Sequence, residues 1–373
     1  MSSVKRTSLY QFFDYCLQNR LPVAFYRIPN TKTIKVVAQR ERQLDLCSEM
    51  KDISTKKGFV VAPFSEDKYN HAFVIRADIF NTEGKLPALN FAKVFGNQPL
   101  VAAGRKKIQE SSRKDYAEYV KNIQREIWKG NFKKVVAARV IKKKKPGGFN
   151  VVTYFESLCK KYPSAFISLV YTEQYGLWVG ATPEILLRVD KTGFSTYSLA
   201  GTKANTPNNL GMAWGPKEQE EQKIVSEYIT GSFKKLNATQ MEVKGPETIV
   251  AGNLLHLRTS FTFKNSGKNK WPEVVAHLHP TPAIAGLPKE KSIAFIRGHE
   301  VADRSFYSGY LGPVNLNNEV TLFVNLRCMQ VLKNKLVVYV GCGITADSKP
   351  ADEWKEGKMK SQTLLNVLSA NKK

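Results

Sequence analysis

Residues 165–200 read Ala165-Phe-Ile-Ser-Leu-Val-Tyr-Thr-Glu-Gln-Tyr-Gly-Leu-Trp-Val-Gly-Ala-Thr-Pro-Glu-Ile-Leu-Leu-Arg-Val-Asp-Lys-Thr-Gly-Phe-Ser-Thr-Tyr-Ser-Leu-Ala200. Apolar runs rich in β-branched and aromatic residues, at about 165–172, 176–182, 185–189 and 194–200, alternate with short turn-forming stretches, which predicts strands. Gaps of a few residues suit antiparallel neighbours, because a parallel pair needs a crossover of a dozen residues or more.

Outward from this stretch, helices and strands stay mixed. Positions 21–40 read as two strands joined at Pro29-Asn30, and 58–82 holds β-rich pieces such as Gly58-Phe-Val-Val-Ala and Ala72-Phe-Val-Ile-Arg. The stretch 96–113 has no periodicity and reads as a mobile connector. An amphipathic helix is expected at about 115–129, with Tyr116, Val120, Ile123 and Ile127 on one face and Gly130 as its stop. A strand opens at Lys134 (Lys-Val-Val-Ala-Ala-Arg-Val-Ile) and ends at the run Lys142–Lys145, which reads as a solvated turn before Pro146-Gly147-Gly148. Further helices are expected near 151–161, 217–235, 271–278 and 351–369, with strand-rich stretches at 247–264, 320–331 and 335–343. Together these predict an α+β protein, with α/β layering: large, mainly antiparallel sheets flanked by helices. Nothing divides residues 115–370 into separate domains.

The 373 residues carry 57 Lys+Arg against 32 Asp+Glu, a formal charge of +25. Residues 101–150 hold 15 bases and 4 acids, whereas 151–250 hold 10 of each. The excess is thus local, and no DNA- or RNA-binding motif accompanies it. Five cysteines without a CxxC pair fit reduced thiols of a cytoplasmic protein. No apolar run reaches membrane-spanning length, and Met1-Ser-Ser-Val-Lys-Arg lacks a secretory signal's apolar stretch.

Several residues stand out chemically. In Gly180-Ala-Thr-Pro-Glu184 the glutamate emerges from a sheet; against apolar walls its pKa would rise and it could act as a general acid, the ordinary alternative being a solvated turn residue. Lys134 opens a buried strand, where a lysine either snorkels to solvent or, desolvated, serves as a base; Lys133 points to the opposite face. Glu218 and Glu221 share a helical face at i, i+3, as do Glu353 and Glu356, with Lys360 one turn on. Carboxylates from two helices could hold a hard cation such as Mg2+ if the fold joins them; each pair alone is an ordinary charged surface. His277 and His279 have no third ligand at a zinc spacing and read as structural. Gly341-Cys-Gly-Ile-Thr could present N–H groups to an anion, a weak signal.

Taken in order, these segments resemble the chorismate-utilising enzymes. The series is Lys134-Val-Val-Ala-Ala-Arg139, Gly180-Ala-Thr-Pro-Glu184, Leu199-Ala-Gly-Thr202, Lys217-xxx-Glu221, His256-Leu-Arg-Thr259 and Leu278-His-Pro-Thr-Pro-Ala-Ile-Ala-Gly286. It continues through Glu300-xx-Asp303-Arg304, Tyr307-Ser-Gly, Leu326-Arg327, Gly341-Cys-Gly-Ile344 and Glu353-xx-Glu356-xxx-Lys360. The resemblance spans roughly 113–367. It implies one compact domain, with 113–373 as the chorismate-binding catalytic core and 1–112 as a more variable part of the sheet framework.

Within the family the chain is most similar to isochorismate synthases, whose product supplies menaquinone and catechol siderophore synthesis. Amine-adding relatives carry a nucleophilic lysine where this chain has Ala200, and ammonia-using members lack the lysine matching Lys134, so no glutaminase subunit is implied. The resemblance makes Lys134 the base that activates water for attack at C2, and Glu184 the acid for the departing C4 hydroxyl. It makes Glu221 and Glu356 the Mg2+ ligands, with Glu218 and Glu353 as neighbours. Gly201, Thr202, His256, Tyr307, Arg327, Gly341, Gly343 and Lys360 become substrate-binding residues. A monomer is expected, with no nucleic-acid or membrane partner.

Two positions depart from the family pattern: Gln222 stands where histidine is frequent, and Gly357 where threonine is usual. Both are expected to alter Mg2+ binding, the first through support of Glu221 and the second by loosening the helix. Two alternatives stand beside the main expectation: a salicylate synthase that also eliminates pyruvate, and a non-catalytic basic protein that binds nucleic acid.

Overall fold

In the computed structural model, which describes residues 8–67, 69–81, 108–236, 240–264 and 271–370, the 165–200 stretch is a meander that changes sheet halfway. Strands Phe166–Thr172 and Gly176–Thr182 belong to one nine-stranded sheet, whereas Ile185–Val189 and Phe194–Ala204 belong to a second. The switch occurs over Pro183 and Glu184. Each neighbouring pair within the sheets for which a register is given is antiparallel.

The first sheet runs from edge to edge as Gly286–Leu287, Lys134–Lys144, Lys335–Ile344, Cys328–Val331, Gly176–Thr182, Phe166–Thr172, Val23–Arg27, Lys35–Ala38 and Ile79–Asn81. The second runs as Glu242–Ala251, Leu254–Phe263, Phe194–Ala204, Ile185–Val189, Val320–Val324, Tyr310–Val314, Gly58–Ala62, Ala72–Arg76 and Asp45–Cys47. Strands from the first hundred residues complete one side of both sheets.

Eight helices lie among the described residues: α1 (Leu9–Gln18), α2 (Met50–Ser54), α3 (Arg113–Trp128), α4 (Val151–Lys161), α5 (Pro216–Lys235), α6 (Trp271–Leu278), α7 (Lys289–His299) and α8 (Pro350–Ala370). Local chemistry sets their starts. Ser112 and Asp115 form a reciprocal capping box for α3, and Pro216 occupies the first turn of α5, where its missing N–H costs nothing.

The layers follow from alternation along strands. Val23 and Phe25 pack against α1, α4 and α8, whereas Ala24 and Tyr26 face the second sheet. Both faces of this strand are therefore covered, which is why it reads as a continuous apolar run. Between the sheets, Phe166 and Phe323 stack with centroids 4.0 Å apart. The outer face of the second sheet packs on α5 and α6 through Val225, Ile229, Phe233 and Val274.

One expectation changes here. Lys142, Lys143 and Lys144 are not a turn: they continue the strand and pair with Val337, Leu336 and Lys335, while Lys143 and Lys144 keep their side chains in water. Most of the connector read at 96–113 and the N-terminal residues Met1–Arg6 lie outside the described residues. Residues 108–112 are irregular and lead into α3.

Candidate active site

The sheet switch places Glu184 between the two sheets. Its N–H donates to Thr182 Oγ1 at 3.2 Å and its carbonyl accepts from Val324 N at 3.0 Å, so the backbone is pinned on both sides. The carboxyl is 4% exposed, and desolvation raises its pKa to about 7 despite the opposing pull of Lys134, Arg327 and Lys360. The general-acid reading of Glu184 thus has its physical basis in burial.

One cavity at this junction is lined by Glu184, Gly201, Thr202, Glu221, His256, Tyr307, Arg327, Gly341, Gly343 and Lys360. A second cavity, between the sheets, shares Pro183 and Arg327 with it. Arg327 sits just before Cys328–Val331 with φ 47°, a left-handed conformation uncommon for a side-chain-bearing residue. Its guanidinium is buried; Nη2 donates to His256 Nε2 at 3.0 Å and Nη1 to Thr363 Oγ1 at 3.3 Å. Tyr307 is buried beside the Gly341 strand, where a Cβ on Gly341 would come within 2.6 Å of its hydroxyl.

Lys134 is fully buried, and its Nζ lies 2.7 Å from Glu221 Oε1. That approach is an ion pair off the angle of a directed hydrogen bond, and Nζ makes none among the described residues. Burial pushes the Glu221 carboxyl up, but Lys134, Lys360 and Lys217 outweigh it and hold the pKa below the usual range. Glu221 Oε2 also accepts from Gly201 N at 3.3 Å. Gly343 leaves the room for this pair: a Cβ there would overlap Glu221 Oε1 and come 2.6 Å from Lys134 Cε.

The two acidic helices do meet. Lys217 of α5 pairs with Glu353 of α8 at 2.5 Å, and Lys360 pairs with Glu356 at 2.7 Å while donating to Gly341 O at 3.0 Å. Three lysines therefore face three carboxylates. Ligand atoms of Glu353, Glu356 and Cys342 lie within 4.8 Å of one another; Glu221 is not in that cluster. Burial pushes the Cys342 thiol well up, and its Sγ donates to the Glu353 carbonyl at 3.2 Å, leaving carboxylate oxygens as the hard donors. Glu353 Oε2 is buried without a hydrogen-bond partner among the described residues, and desolvation together with Glu356 raises its pKa against Lys217. Glu218 directs Oε2 towards Gly215 at the start of its own helix.

Two departures from the family pattern find their places. Gln222 Nε2 donates to Ser198 O, Ser198 Oγ and Thr259 Oγ1 at 3.3, 2.7 and 3.0 Å, tying α5 to the second sheet. Gly357 lies within α8, which runs unbroken through it. The Gly341–Gly343 segment is a strand in register with Ala138 and Val136, and the glycines act there through their missing side chains.

Thr363, Asn253 and the pairing role of Lys217 have no counterpart in the sequence reading. Thr363 donates to Asn253 Oδ1 at 3.2 Å and so anchors the Arg327 side chain. Its position three residues beyond Lys360 on α8 was the available signal.

Residues 79–369 match the family described as chorismate binding enzymes. The isochorismate synthase EntC of Escherichia coli is 27% identical over 242 residues, covering 63% of this chain and 62% of that protein. The isochorismate synthase MenF of the same organism is 32% identical over 200 residues, 51% of this chain and 45% of that protein. The match thus spans less than two thirds of these relatives' length. The solved structure of the menaquinone-specific isochorismate synthase MenF from Escherichia coli superposes with a TM-score of 0.76 at 19% identity, covering 98% of this chain and 90% of that one, a likeness of fold. With the family matched over every residue that lines the Glu184 cavity and over most of the chain, this chain belongs to the chorismate binding enzymes.

Proposed function

We propose that the chain is an isochorismate synthase, converting chorismate to isochorismate by attack of water at C2 with loss of the C4 hydroxyl. The observation that carries this is Glu184, a carboxyl buried at the sheet switch with its pKa near 7, facing a cavity that also holds the buried cation Arg327. An acid protonated near neutrality can give its proton to a leaving hydroxyl. Lys134, behind Gly343, is the base once the ammonium that pairs with Glu221 has given its proton to solvent; the free amine then takes the proton of the attacking water as the ring double bonds shift. The C4 hydroxyl departs as water, so protons balance across the pair.

Chorismate carries two carboxylates. Arg327, whose hydrogen bonds among the described residues go to a neutral histidine and a threonine, has charge left for one of them, with Tyr307 beside it. Lys360 and Gly341 border the same space. The carboxylates of α5 and α8 fit a hard divalent cation, since Glu353 Oε2 is a buried oxygen with no hydrogen-bond partner among the described residues and the neighbouring thiol is protonated. Glu221 and Glu356 would hold Mg2+, with Glu353 and Glu218 adjoining. Bound there, the cation would supply positive charge for the ring carboxylate.

The test is purified protein with chorismate and Mg2+, products separated chromatographically. Isochorismate is expected, with Lys134→Ala and Glu184→Gln each losing on the order of 10²–10⁴ in turnover. Full activity in either variant overturns the acid–base assignment. Pyruvate release, coupled to lactate dehydrogenase, would instead favour a salicylate synthase.

A further inference from the structure

Val136 and Val140 of the Lys134–Lys144 strand line the cavity, and Arg139 between them points to the opposite face. There its guanidinium, buried at 6% exposure, lies 3.6 Å from the Trp354 ring centroid and 5.7 Å from that of Tyr116. Nη2 donates to the Trp354 carbonyl at 3.2 Å, and buried Nε has no hydrogen-bond partner among the described residues. A Cβ on Gly357 would stand 3.3 Å from both Nε and Nη2, tighter than ordinary contact.

Trp354 lies between Glu353 and Glu356 on α8. Arg139 grips that residue twice, by its ring and by its carbonyl, while the Tyr116 ring packs beside both, 5.6 Å from the indole and 5.7 Å from the guanidinium. Cys342 holds the preceding carbonyl, that of Glu353. Burying a guanidinium is costly unless its contacts offset the loss of water. A glycine inside a helix is unfavourable relative to alanine, so Gly357 also needs a reason. The two costs explain one another: the absent side chain is where the guanidinium fits.

We propose that Arg139 is a positioning residue that fixes the Glu353–Glu356 turn from behind, and that Gly357 is the vacancy that admits it. This rests on the reading of those carboxylates as part of a divalent-cation site. Groups that orient metal ligands typically alter metal affinity 10–100-fold when removed. The guanidinium's plane, its stacking and its directed hydrogen bond are all used, so lysine is an incomplete substitute.

The test measures cation affinity without substrate, by calorimetry with Mg2+ and by electron paramagnetic resonance with Mn2+, alongside melting temperatures. The proteins are the wild type, Arg139→Gln, Arg139→Lys, Gly357→Ala, and the double variant Arg139→Gln with Gly357→Ala. Arg139→Gln is expected to weaken binding about tenfold or more, and Arg139→Lys by an intermediate amount. Gly357→Ala should weaken binding only while Arg139 is present and be neutral in the Arg139→Gln background, a non-additivity that general destabilisation would not produce. Equal effects of Gly357→Ala in both backgrounds, or wild-type affinity in Arg139→Gln, overturn the proposal alone. Wild-type protein that binds neither ion overturns the cation reading and this proposal with it. Should Arg139→Gln fail to fold, unchanged affinity in both Arg139→Lys and Gly357→Ala is the overturning result.

Discussion

Arg327 Nη2 donates to His256 Nε2 at 3.0 Å, while His256 Nδ1 stands 2.6 Å from the Gly201 carbonyl. A guanidinium can only donate, so Nε2 is the acceptor and Nδ1 carries the proton given to Gly201. Desolvation first, and Arg327 second, lower the histidine's pKa to about 3. His256 is therefore neutral at physiological pH, and it orients the guanidinium without competing for its charge.

It follows that His256→Ala should raise KM for chorismate roughly tenfold or more, the scale of one hydrogen bond to a charged group. The wild-type pH profile should show no limb from His256 between pH 5 and 8. Steady-state kinetics across that range checks both. An unchanged KM in His256→Ala would sever the link between the two residues.

Glu184 yields a prediction in which activity and stability move in opposite directions. Its pKa is raised in the folded state, from 4.5 to about 7, because burial disfavours the charged form. Between these values the folded protein holds the proton more tightly than the unfolded chain, so stability from this group falls as pH rises through that window. The full difference is about 3 kcal/mol. Glu184→Gln should hence lose turnover at every pH yet be more stable than wild type at pH 8, and lose that advantage towards pH 5. Turnover in the wild type should decline above about pH 7 as the acid ionises. Chemical denaturation at the two pH values, beside a pH–rate profile, checks the sign.

Much of this architecture was legible in local pattern. The strand runs around 165–200 and the faces of α3 and α4 announce themselves because one periodicity dominates each. α7 does not: in Lys289–His299 only Ser292 and Ile296 are buried, so almost no apolar stripe marks it. The Lys142–Lys144 segment is a strand because Lys335–Val337 pairs with it, and hydropathy alone carries no trace of a partner. Within the site, Lys134 and Glu184 stand out as charges set in apolar surroundings. That Lys217 meets Glu353, or that Gln222 turns to Ser198 instead of Glu221, depends on how two helices are rotated, which i, i+3 spacing leaves open.

Arg304 and Glu300 form a buried pair at 2.5 Å, their side chains 3% and 5% exposed. The guanidinium also donates to Ile284 O at 2.6 Å and Val136 O at 2.7 Å, and Glu300 Oε1 accepts from Ala138 N at 2.8 Å. Between them they fasten the 279–286 loop to the strand that carries Lys134. Removing one partner leaves the other buried and unpaired, which typically costs 3–5 kcal/mol. Arg304→Ala is expected to lower stability by about that amount in a urea titration. A loss below about 1 kcal/mol would mean that water or rearrangement satisfies Glu300.

Gly343 and Gly341 offer a matched pair of substitutions with different readouts. A Cβ at 343 would overlap Glu221 Oε1 and stand 2.6 Å from Lys134 Cε, and Lys134 is fully buried, so its side chain has no solvent to retreat into. Overpacking of this kind costs about 1–3 kcal/mol, and the displaced amine would leave its reacting position. Gly343→Ala should accordingly lower kcat on the order of 10²-fold or more, with a modest fall in melting temperature. At 341 the obstructed group is the Tyr307 hydroxyl, 2.6 Å away, which borders the substrate without belonging to the acid–base pair. Gly341→Ala should therefore raise KM more than it lowers kcat. If the two substitutions gave the same split between kcat and KM, the assignment of Lys134 to chemistry and Tyr307 to binding would fail.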